Sequence, residues 1–131
     1  MLAGLDNGAI DVYTLSYSAE DDPAASFHFL ERVNTVHEHD DGVTGLCAAG
    51  DGGAVVVSAS LDRSLVAMDA ATLARTREVR PAHRDAVADV AAAPGAGYPL
   101  VVTAGMDGRV AVWDLREGAN DGKGKKLLFC P

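Results

Sequence analysis

Two short stretches hold residue types that could do chemistry. His37-Glu38-His39-Asp40 sets two imidazoles two residues apart. On a strand that spacing points both to one side, as a zinc ion would require. No third ligand stands at a distinctive spacing, so the run does not define a metal centre. His83-Arg84-Asp85 spells the letters of a kinase catalytic loop, but the asparagine that should follow, a glycine-rich loop and a later Asp-Phe-Gly are missing. Gly50-Asp51-Gly52-Gly53 has the look of a hydrolase turn without a nucleophile, and a hairpin turn is the plainer reading, since Gly and Asp accept positive φ. Cys47 sits in an apolar run with no histidine placed to activate it, which reads as an inert buried thiol. None of these features implies a cofactor, and the chain is expected not to be an enzyme.

Charge narrows the partner. Nineteen acidic against eleven basic residues give a net charge of −8, which argues against a surface that tracks nucleic-acid phosphates. It suits a basic partner such as an Arg-rich tail. The one basic run, Asp121 to Lys126, reads as a solvated loop before a final apolar strand, Leu127 to Cys130. No apolar run is long enough to span a bilayer, and the amino terminus lacks the basic start and apolar middle of a signal peptide. With only Cys47 and Cys130, reduced thiols and a cytoplasmic or nuclear location are expected.

The elements that must position these residues repeat. SASLDRSLVAMDAAT, from Ser58, lies under TAGMDGRVAVWDLRE, from Thr103, with Asp62 and Asp107 45 residues apart. HDDGVTGLCAA at His39 lies under HRDAVADVAAA at His83, 44 residues on, so the register holds at both anchors. A worn third copy, AGLDNGAIDVYTL, aligns Asn7-Gly8 with Asp107-Gly108 and Tyr13 with Trp113. Its extra length falls in the polar segment 16–26, which reads as an extended acidic loop. Each unit reads as four short strands; in the middle copy these are about 43–49, 54–60, 64–69 and 73–79, with Val55-Val56-Val57 apolar on both sides. The fold class expected is all-β.

A period in the mid-forties, a loop His, an Asp in a tight turn and a closing Trp-Asp resemble the WD-repeat family of β-propellers. The resemblance implies four-stranded blades, a partial one in 1–34, a second in 35–80 and a third in 81–131. It implies a buried hydrogen-bond chain of His83, Asp107, Thr103 and Trp113. In the middle copy His39, Asp62 and Ser58 fill the same places, and Met68 stands where Trp would, so the chain there should end at Ser58. Under this assignment His39 is structural and only His37 is left over. Within the family, DNGAIDVYTL, EHDDGVTGL, SLDRSLVAMD and AHRDAVADV resemble the methylosome WD-repeat subunits, partners of a protein arginine methyltransferase.

About eleven strands are fewer than three blades, so the sequence is expected to be a fragment, or a truncated gene prediction, of a longer, seven-bladed propeller; several copies closing a ring is the alternative. The function implied is that of a scaffold binding other proteins. The contact residues expected from loop position are Asp40, Asp41, Arg63, Arg84, Asp85 and Met106.

Overall fold

In a computed structural model, residues 1–17, 28–116 and 125–130 are described, with side chains over 1–14 and 30–116. Ser16 and Tyr17, read as the start of the acidic loop, are strand residues paired with Phe29 and His28, and Lys125 and Lys126 of the basic run are strand residues too. The rest of that loop and run, and the side chain of Cys130, lie outside the described residues. Eleven strands among them form three antiparallel sheets. Sheet 1 is β1 (Leu2–Gly4), β2 (Ala9–Tyr17) and β3 (His28–His37). Sheet 2 is β4 (Val43–Ala49), β5 (Val55–Ser60), β6 (Leu65–Asp69) and β7 (Arg75–Val79). Sheet 3 is β8 (Val87–Ala92), β9 (Leu100–Gly105), β10 (Val110–Asp114) and β11 (Lys125–Cys130).

β4 spans the residues the apolar pattern suggests, and β5, β6 and β7 begin one or two residues later. The Asp62 carboxylate takes the Ser64 backbone N–H at 2.9 Å, which keeps Ser64 in the turn. Leu73 has φ 59°, a left-handed conformation no strand accepts.

Repetition reaches the irregularities. Register shifts fall between Val12/Tyr13, Ala67/Met68 and Val112/Trp113, the same place in the three units. A second pair falls at Val43/Gly45 and Val87/Asp89. Bulges strengthen local twist, and repeating them at fixed positions gives successive sheets the same shape.

Sheet 2 lies in the middle. Against sheet 1 it buries Val56, Val66 and Met68 beside Ile10. Against sheet 3 it buries Val57, Leu65 and Ala67 beside Val101, Ala111 and Trp113. β5 is therefore covered on both faces, as Val56 and Val57 show, which its run of valines requires. Polar ties cross the same gap. The Thr44 hydroxyl donates to the Val87 carbonyl at 2.6 Å, and the buried Arg77 guanidinium donates to the Arg116 carbonyl at 2.8 Å. The three sheets do not close on themselves, and the far side of sheet 3 leaves Val102 and Val110 exposed.

Candidate functional site

Everything singled out in the sequence as a contact residue stands at one edge of the sheets, where two kinds of loop meet. One kind enters each sheet, 38–42 before β4 and 80–86 before β8; the other is the tight turn between the second and third strands of each unit. Backbone bonds hold them together: Leu61 N–H to the Gly42 carbonyl at 2.9 Å, and Met106 N–H to the Ala86 carbonyl at 2.8 Å. The turns share a device as well. A side-chain oxygen of Asn7, Asp62 and Asp107 accepts the backbone N–H two residues on, at 3.0, 2.9 and 3.1 Å.

Beneath the last turn the four residues named from the sequence form a connected chain. Asp107 sits 3.2 Å from His83 Nδ1, His83 Nε2 is 2.7 Å from the Thr103 hydroxyl, and Trp113 donates its indole N–H to that hydroxyl at 2.9 Å. A carboxylate can only accept, so Nδ1 carries the proton; in the neutral ring the Thr103 hydroxyl then donates to Nε2. His83, Thr103 and Trp113 are all buried. Burial raises the Asp107 pKa, but the Arg84 N–H, the His83 ring and the Arg109 N–H outweigh it and hold the carboxyl below its usual range.

The middle unit differs by one step. His39 Nε2 meets the Ser58 hydroxyl at 2.7 Å and Nδ1 meets Ser64 at 2.7 Å, while Asp62 bonds the Ser64 hydroxyl and lies 3.4 Å from Nδ1. Met68 is fully buried and offers no N–H, so Ser58 has no indole to accept from; its hydroxyl also lies 3.4 Å from the Val66 carbonyl. Ser64 was not singled out from sequence, though the pattern Asp-x-Ser was a signal for it. In the first unit Tyr13 reaches Asp11 at 3.3 Å, and Asp11 accepts the Thr35 hydroxyl at 2.6 Å.

Burial pushes the His39 pKa down, against the pull of Asp62. The unfolded chain therefore takes up a proton that the folded chain refuses. This contribution to stability is complete above about pH 6.5 and is lost as pH falls below it. Denaturant midpoints should fall between about pH 7.5 and about pH 5.5, and the slope should flatten in His39→Gln; an equal slope in that variant would contradict the assignment. Asp62 acts in a lower window. Burial raises it, but Ser64 and the backbone N–H groups of Asp40 and Ser64 draw it to about 2, so its contribution disappears only in strong acid.

The six contact candidates are placed as follows. Arg84 and Asp85 are exposed beside His83, and Met106 is 58% exposed at the Asp107 turn. Arg63 is exposed with φ 71°. Asp41 is exposed and caps its own loop by accepting the Gly42 N–H. Asp40 is exposed but paired with Arg80 at 2.8 Å, and the same guanidinium reaches Asp62 at 3.0 Å. No sequence signal marked Arg80, because its aspartate partners lie in other loops. Among the described residues no group of three His, Cys, Asp or Glu could hold a metal ion. Burial, with the charge of Asp89, pushes the Cys47 thiol up to about 11, far from a reactive thiolate.

Three sheets share a bulge and a turn, and two of them a buried His–hydroxyl pair. The pattern of the WD domain, G-beta repeat, matches residues 30–66 and 75–114. The chain belongs to the WD40 repeat family. Sqt1 from Chaetomium thermophilum is similar at 26% identity and TM-score 0.70, over 93% of this WD40 chain and 30% of its own. The same Sqt1 solved with the N-terminus of ribosomal protein L10 gives 26% identity and TM-score 0.69, over 90% and 29%. The β-propeller domain of Cps50 (Swd1) from Myceliophteria thermophila gives TM-score 0.69 at 16% identity, over 96% and 34%, a likeness of fold alone. This WD40 chain thus spans about a third of the length of the solved structures it matches. Among curated protein sequences nothing matches it. No helix among the described residues is long and apolar enough to cross a membrane.

Proposed function

We propose that the chain is part of a non-enzymatic WD40 adaptor whose loop edge holds a protein partner. The observation that carries this is the division of that edge. Its His, hydroxyl and Asp groups are spent on one another, while Met106, Arg84 and Asp85 face solvent on loops held by those bonds. Exposed Met and Arg on a well-held frame is the composition of a contact patch. The complex of Sqt1 with a ribosomal protein terminus lends support by analogy.

The finer reading is an adaptor like the methylosome WD-repeat subunits, presenting Arg-rich tails, such as those of histones or splicing proteins, to a protein arginine methyltransferase in the cytoplasm or nucleus. The net charge of −8 and the phrases DNGAIDVYTL and SLDRSLVAMD support it. The rival is another WD40 adaptor, such as a ubiquitin-ligase substrate receptor or a chromatin-assembly subunit.

Affinity purification of the tagged protein from its own cells, read by quantitative mass spectrometry, separates them. The expected result is an arginine methyltransferase at near-stoichiometric abundance, lost in an Asp85→Lys/Met106→Ala variant. Absence of any methyltransferase, or its replacement by ubiquitin-ligase subunits, would overturn the finer reading. Turnover by the purified protein alone would overturn the adaptor reading itself.

A further inference from the structure

Between sheets 2 and 3 the loop edge carries an open groove of about 440 Å³, walled by Arg63, Arg84 and Arg109, with Pro81, Ala82, His83 and Asp107 below. Such a volume falls within the roughly 300–1,000 Å³ of ligand clefts. We propose that this groove binds an acidic peptide segment, by salt-bridging its carboxylates to Arg63 and Arg84.

Four observations carry the assignment. The first is charge. Of the residues lining the groove Asp107 is the one acid against three arginines, and its oxygens already accept from His83 and from the backbone N–H groups of Arg84 and Arg109, at 2.9 and 3.1 Å. The groove is therefore positive within a chain of net charge −8.

The second is construction. The same Asp107 bonds tie the backbones of two arginines together, and the Ala82 N–H bonded to the Arg63 carbonyl at 2.8 Å ties in the third. Fixing the backbones that carry the guanidinium groups leaves only side-chain freedom to be lost on binding. Their planar forks match carboxylates.

The third is the repeat. The positions equivalent to Arg63, Arg84 and Arg109 at the junction of sheets 1 and 2 are Gly8, Asp40 and Ser64. The same turns and His–hydroxyl pair form there with no arginine at these three positions, so the fold does not require this cluster. Arg80 provides the contrast: its guanidinium is engaged by Asp40, Asp62 and Glu78. Neither Arg63 nor Arg84 has a carboxylate partner among the described residues.

The fourth is what surrounds it. Asp85, Asp40 and Asp41 stand exposed on the same edge and would repel a continuous phosphate backbone. A short acidic peptide sets fewer charges against these acids than a continuous strand does.

This inference goes beyond the adaptor reading, sharing Arg84 with its contact patch but assigning the groove an acidic ligand distinct from the Arg-rich tails, and its failure would leave that reading standing. The test is fluorescence anisotropy of a labelled oligoglutamate peptide with the purified chain, at low and physiological salt. Two double variants remove equal charge: Arg63→Gln/Arg84→Gln inside the groove and Arg32→Gln/Arg75→Gln outside it. Binding should weaken with salt and fall roughly tenfold or more in the first variant, and change less than about twofold in the second. The single Arg84→Gln change gives a milder second measurement should the double variant lose its circular dichroism spectrum. No binding of oligoglutamate above a Gly-Ser peptide, equal loss in both double variants, or binding of an oligothymidylate as tight as oligoglutamate would each overturn the assignment.

Discussion

Trp113→Ala should destabilise the chain by about 3–5 kcal/mol, the usual cost of emptying a large buried aromatic site. Trp113 is 4% exposed and packs in the core that joins sheets 2 and 3, so the cavity would open where the two sheets are held together. Trp113→Phe separates packing from polarity. It keeps much of the ring and removes the N–H that the Thr103 hydroxyl accepts at 2.9 Å, which should cost about 1 kcal/mol from the bond, plus the smaller ring's packing loss. Urea unfolding of both variants reads the two quantities. A phenylalanine variant as damaged as the alanine one would assign the whole effect to the hydrogen bond.

Gly105→Ala should cost about 2–4 kcal/mol through one methyl group. A Cβ there would meet Asp107 Oδ1 and His83 Nδ1, the two atoms that must stay together. The backbone of Gly105 is itself fixed, by its N–H to the Arg109 carbonyl at 2.8 Å and its carbonyl to the Gly108 N–H at 3.1 Å, so the residue cannot step aside. Either the His–Asp pair separates or the turn moves. The comparison is Gly97→Ala, where nothing lies within 4 Å and the change should stay within about 0.5 kcal/mol. Equal melting temperatures for the two variants would mean that the pair is not confined as described.

The buried chain could be placed on residue numbers because its members come at fixed offsets within a unit whose length is set by four strands and their turns. Asp62 and Asp107 mark the same turn in two units, and His39 and His83 the same loop. Met68 could be recognised in the Trp place for the same reason. The groove was not legible. Arg63 belongs to one unit and Arg84 and Arg109 to the next, and only the packing of sheet 2 on sheet 3 brings a turn of one beside a loop of the other. Arg80 escaped notice likewise, since Asp40 lies 40 residues away and Asp62 18. Strand ends were misplaced where side chains took backbone donors, as Asp62 does at Ser64.

The central claim is a division of labour: buried groups make the frame, and exposed side chains on that frame, Arg63 and Arg84 for the proposed acidic peptide, make the contact. Melting temperature and oligoglutamate affinity measured on the same samples of Trp113→Phe and Arg63→Gln/Arg84→Gln test it directly. The account predicts that the first variant melts several degrees lower, at roughly 4 °C per kcal/mol, and binds with unchanged affinity while folded. The second should melt within about 2 °C of wild type and lose most of its binding. Loss of affinity in the folded Trp113→Phe protein, or of stability without affinity in the arginine variant, would contradict it.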